Sequence, residues 1–121
     1  MSVIYQNKVK AFGSCISEFA DCDFIIIFGE GAPDELKDYC YTVDVNPING
    51  TIQPGQVLHF DDKSYRITAI GDEVPLTLSG LGHCTISFSG KTEPEMAGTL
   101  YVENKPKPEI KVGTSIQITD D

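Results

Sequence analysis

Five consecutive apolar residues, Phe24-Ile25-Ile26-Ile27-Phe28, lie between Asp23 and Gly29. β-branched and aromatic side chains fit a pleated backbone, and a run without alternation has both faces covered, so the segment reads as a central strand. At strand length, this longest apolar run of the chain falls well short of the roughly 18 residues that a membrane helix needs. A strand buried on both sides obliges the rest of the chain to supply its neighbours.

Those neighbours are short. Val3 to Gly13 alternates imperfectly, with Val3, Tyr5, Val9 and Ala11 on one parity, and reads as a first strand. Ser14 to Cys22, with Ile16 and Phe19 three apart, suits a helical turn. Pro33 followed by Asp34 and Glu35 has helix-entry chemistry, and Leu36, Tyr39 and Cys40 give the stretch from Gly31 to Cys40 one apolar face, so the convincing helix is expected there. Tyr41 to Val45 returns to strand composition. Gln56 to Phe60 and Tyr65 to Ile70 flank the polar Asp61-Asp62-Lys63-Ser64, the pattern of a hairpin. Leu76 to Ser79 reads as a short strand or extended loop, Gly90 to Gly98 as a polar connection, and Thr99 to Val102 and Thr114 to Thr119 as the last strands. Lys105-Pro106-Lys107-Pro108 between them forbids regular ladder bonding. Strands at short spacing with one short helix predict an all-β fold, a small closed or nearly closed β-barrel.

The 121 residues fit one domain, and 40% apolar residues suffice for a core without staples. A net charge of -9 argues against a nucleic-acid binder, which needs basic residues, and favours basic protein partners through long-range attraction. Cys15, Cys22, Cys40 and Cys84 have no CxxC spacing and, with two scattered histidines, compose no zinc site, so free packing thiols are expected and no metal or cofactor. The start, Met1-Ser2-Val3-Ile4-Tyr5, has no basic leader before an apolar segment, which predicts a cytoplasmic location without membrane insertion.

Chemistry concentrates in Gly80-Leu81-Gly82-His83-Cys84-Thr85-Ile86-Ser87-Phe88, read as a glycine turn feeding an alternating strand. Cys84, Ile86 and Phe88 share one face; His83, Thr85 and Ser87 share the other, polar face. A neutral imidazole titrates near neutrality and attacks phosphorus through a free ring nitrogen, which makes His83 the first candidate nucleophile and His59 the second. Thr85 is placed to donate a hydrogen bond to a phosphoryl oxygen, and Gly80 and Gly82 are candidates for a backbone N–H cradle, although Gly-Leu-Gly is too short to be a phosphate-loop motif. A core or exposed strand role is the competing reading for each of these residues. No GxSxG, HExxH or Walker pattern occurs.

Met1-Ser2-Val3-Ile4-Tyr5-Gln6, Phe28-Gly29-Glu30-Gly31-Ala32-Pro33 with Leu36 and Tyr39-Cys40, Gly55 with its strand, and Leu81 to Phe88 together resemble the glucitol/sorbitol-specific IIA component of the bacterial sugar phosphotransferase system. The resemblance spans nearly the whole chain, residues 1–121 as one such domain. It implies a closed β-barrel and a cytoplasmic phosphocarrier that takes a phosphoryl group from the histidine-containing phosphocarrier protein and passes it to the membrane-bound IIB and IIC components for polyol uptake. A homodimer is left open. The resemblance also implies a phospho-accepting histidine just after Tyr39-Cys40, where this chain has Val43. Valine cannot carry phosphate, so either His83 is the acceptor or the chain is a noncatalytic regulatory barrel derived from this family.

Overall fold

The structure, a computed structural model, describes residues 2–120. Nine strands form one curled sheet: β1 Val3–Lys8, β2 Ala11–Phe12, β3 Phe24–Gly29, β4 Tyr41–Val43, β5 Val57–Phe60, β6 Lys63–Ile70, β7 Cys84–Ser87, β8 Thr99–Val102 and β9 Ser115–Thr119. Their order across the sheet is β1-β9-β5-β6-β8-β7-β3-β4-β2. The two edge strands are consecutive in the chain, separated only by Val9 and Lys10, so the sheet's ends come together and it nearly closes on itself. The Val9 N–H bonds to Thr114 on one side of the seam and the Lys10 N–H to Thr42 on the other, at 3.0 and 2.8 Å. This crossing splits the expected first strand into β1 and β2.

Asn7 stitches the seam. Its side-chain amide donates to the Tyr5 hydroxyl and to the Asp44 carbonyl, both at 2.7 Å, while its carbonyl oxygen accepts from Lys8 and Asp44 N–H groups. The chain after β4 then follows β1, with the Asn46 amide donating to the Gln6 carbonyl and the Asn49 N–H to that of Ile4. These bonds occupy an edge that would otherwise present unpaired backbone groups to water or to another chain.

The curled sheet encloses Tyr5, Ile25, Ile27, Val43, Leu58, Phe60, Ile67, Cys84, Ile86, Phe88, Leu100, Ile116 and Ile118. A second, smaller cluster of Phe28, Ala32 and Cys40, joined by Ile26, lies on the outer face of β3. The run from Phe24 to Phe28 is thus covered on both faces, as its lack of alternation requires. It sits between parallel β4 and antiparallel β7. The β5–β6 hairpin forms where expected, with Asp61 in a left-handed conformation at its turn, φ 54°.

Of the helical segments, the turn expected in Ser14 to Cys22 is found, while the other two depart from the sequence reading. The stretch from Gly31 to Cys40 holds only one turn, α1 Asp34–Lys37, because the segment must close a parallel crossover from β3 to β4 in few residues. The stretch from Leu76 to Ser79, expected to be extended, lies inside the longer helix α2 Val74–Leu81. Pro75 sits in its first turn, and Val74 and Leu78, four apart, are buried against the sheet. Ile16–Phe19 makes a 3₁₀ turn.

Candidate functional site

Gly80-Leu81-Gly82 is not an open turn but the end of α2. Gly80 is helical, and Gly82 is the left-handed cap, φ 71°. The Gly82 N–H donates to the Leu78 carbonyl and the His83 N–H to that of Thr77, at 3.0 and 3.1 Å, which satisfies the last helical carbonyls. The cradle expected at these glycines therefore lacks its donor at Gly82, because that N–H closes the helix. Gly82 has a different reason to be glycine: a Cβ there would come within 2.8 Å of the Gly29 nitrogen, and one on Gly29 within 2.5 Å of the Leu81 carbonyl. The two backbones pack directly, and this contact fixes how the chain leaves α2 and enters β7.

His83 is delivered by that contact. One residue beyond the paired Ile27 and Cys84, its ring lies over Phe28 with centroids 4.5 Å apart and planes tilted by 32°. The imidazole is half-buried and makes no hydrogen bond to any described residue. No buried side-chain nitrogen or oxygen among the described residues lacks a partner, so both unbonded ring nitrogens reach solvent. Partial burial also disfavours the imidazolium and holds the proton affinity below the usual 6.5. The result at neutral pH is an uncharged ring, held flat by an aromatic neighbour, with both ring nitrogens accessible.

Thr85 follows on the same outer face, roughly 6.6 Å further along the strand. It is half-buried, and its hydroxyl is bonded to no described residue. Ser87, the third polar-face residue, is buried and donates to Ser89 at 2.9 Å. Cys84 and Ile86 point into the core, as the alternation requires. Burial pushes the Cys84 thiol up to about 12, and the buried Cys40 thiol rises for the same reason while donating to the Leu36 carbonyl. Neither is a thiolate at neutral pH.

His59 is half-buried in β5, between β6 and β9, and its Nε2 lies 3.0 Å from the Thr119 hydroxyl. Val43 is wholly inside the core, 0% exposed. It pairs with Gly29 across the β3–β4 ladder, so position 43 and His83 adjoin the same short end of β3 from opposite sides. Among the described residues no group of three His, Cys, Asp or Glu side chains gathers to hold a metal ion. Phe28 is the member of the site that sequence reading missed as such; its signal was positional, because an antiparallel β3–β7 pairing sets Phe28 opposite His83.

Fold and site define a small, nearly closed β-barrel with a solvent-open imidazole at its rim. The family model described as the PTS system glucitol/sorbitol-specific IIA component matches residues 4–117, and the chain belongs to that family. Among curated relatives it is similar to the PTS system glucitol/sorbitol-specific EIIA components of Shigella flexneri and of Escherichia coli (strain K12). Each is 31% identical over 117 residues, covering 97% of this chain and 95% of the relative. Among solved structures, the PTS system IIA component from Enterococcus faecalis V583 superposes with a TM-score of 0.77 at 26% identity, covering 93% of this chain and 97% of that one. No helix among the described residues is long and apolar enough to cross a membrane.

Proposed function

We propose that the chain is one glucitol/sorbitol-type IIA domain acting as a cytoplasmic phosphocarrier. It accepts a phosphoryl group from the histidine-containing phosphocarrier protein on His83 and passes it to membrane-bound IIB and IIC components for polyol uptake. Family membership supports the reaction class. The observation that carries the site is that His83 offers an unbonded, solvent-open imidazole, whereas Val43 is an apolar core residue and His59 is held by Thr119.

The step needs little covalent chemistry from the protein. The lone pair of a His83 ring nitrogen forms the new N–P bond as the donor's N–P bond breaks, and that electron pair stays on the donor ring. One proton passes from the other nitrogen of His83 through solvent to the donor ring, which requires both nitrogens to be accessible. Phe28 holds the ring in place, so less orientational entropy is lost at the moment of transfer. Thr85 donates to a phosphoryl oxygen, and further positive charge comes from the partner, since this chain is acidic.

Incubation with the phosphorylated donor protein should give an acid-labile, base-stable adduct, and raised salt should slow its formation by screening attraction between this acidic chain and a basic donor. Absence of any adduct would favour the noncatalytic regulatory barrel, which Val43 in place of the phospho-accepting histidine makes the second reading.

A further inference from the structure

Helix α2 has an outward face that the fold leaves uncovered. In a chain with 22% charged residues, this helix carries none, and Leu76 on its outer side is 74% exposed. Leu81 at its end is 53% exposed, and Val45, on the strand extension across Gly29, is 48% exposed. Val45, Pro75 and Leu76 line one shallow depression of about 610 Å³ together with Pro47, Ile48 and Ser79. A side chain placed on Gly29 would meet both Val45 and the Leu81 carbonyl, so the patch closes around the residue next to Phe28, on which His83 lies. The apolar surface therefore borders the backbone junction that presents the candidate nucleophile.

Its rim is acidic. Asp72 and Glu73 stand exposed before α2, and Glu30 and Asp44 stand exposed at the ends of β3 and β4. Lys10, which lies among the latter two, is taken up by salt bridges to both. An apolar centre with an excess of acids around it complements a partner with the opposite arrangement, apolar side chains ringed by basic ones.

We infer that the surface formed by Val45, Pro75 and Leu76 is the docking face for the phosphoryl donor, a protein presenting apolar side chains within a basic rim. This rests on the phosphocarrier reading. A bound donor lying on Val45 and Leu76 is within one short helix of His83, so docking brings its phosphoryl group toward that ring. Residues this exposed contribute nothing to the core, which leaves the fold intact when they are changed.

Two donors separate docking from chemistry. Phosphoramidate is small and needs no protein surface, whereas the phosphorylated donor protein must dock. Leu76→Arg and, independently, Val45→Thr should lower the rate constant for labelling by the donor protein, by about tenfold or more for Leu76→Arg, while leaving labelling by phosphoramidate at the parent rate. Unchanged labelling by the donor protein in both variants would overturn the docking face. Equal losses with both donors would also overturn it, by showing that the patch acts on His83 itself. A parent that sediments as a dimer and becomes monomeric with Leu76→Arg would assign the face to a second copy of the chain instead. If neither donor labels the parent protein, it is the phosphocarrier reading that fails.

Discussion

The two histidines look alike at the level of the chain, each half-buried at a strand of the same sheet, yet the structure gives them opposite surroundings. His59 is in the middle of a three-strand ladder with its Nε2 on the Thr119 hydroxyl. His83 stands where a helix ends and a strand begins, its imidazole bonded to no described residue and lying on the face of Phe28. An imidazole whose nitrogen is bonded inside a ladder has that nitrogen occupied; one held by stacking leaves its ring nitrogens open to a ligand. Histidine chemistry in this fold is thus decided by the neighbours and not by exposure.

The comparison can be broken by attacking what holds His83. Phe28→Ala empties the centre of the outer cluster and removes the stacking surface, and should cost about 3–5 kcal/mol in denaturant-monitored stability. It should also raise the titration midpoint of His83, measured by NMR, because the ring regains solvent. A midpoint unchanged in that variant would show that Phe28 is not what desolvates it. Gly82→Ala places a Cβ against the Gly29 backbone in a left-handed conformation and should cost about 2–4 kcal/mol, with loss of the α2-to-β7 register that presents His83. His59→Gln, by contrast, should cost only about 1 kcal/mol, the worth of one replaceable hydrogen bond, and leave phosphoryl labelling intact.

The smallest effect concerns pH. The His83 imidazole is expected to titrate below 6.5 in the folded protein, since burial disfavours its charged form. The unfolded chain then takes up its proton first. The contribution of this group to stability is therefore present above pH 6.5 and is lost as pH falls through the folded-state midpoint. His83→Gln should flatten that part of the stability profile, and an unchanged profile would show that the ring is not desolvated.

Much of the barrel was legible because period and composition specify strands locally. The run from Phe24 to Phe28 demanded two covered faces and has them, and the alternation from Cys84 to Phe88 sorted core from outer face. Sheet order was not legible: the parallel pairings β3–β4 and β7–β8 depend on crossovers whose sequences carry only turn signals. Helix α2 was missed because Gly80 and Pro75 read as breakers, although Val74, Leu78 and Leu81 keep helical spacing and proline is welcome in a first turn. That error also hid the part played by Gly82, whose N–H closes the helix and whose left-handed turn sets the direction of the chain. His83 itself was legible as a polar-face residue; its partner Phe28 needed the register.

The central claim is that phosphate goes to the unbonded ring beside Phe28 and to no other side chain. The direct measurement is to label the protein with the phosphorylated donor, digest it at alkaline pH and locate the phosphoryl group by mass spectrometry. The account predicts the adduct on the peptide containing His83, lost with His83→Gln and retained with His59→Gln. Phosphate on His59, or undiminished labelling of the His83→Gln protein, would contradict it.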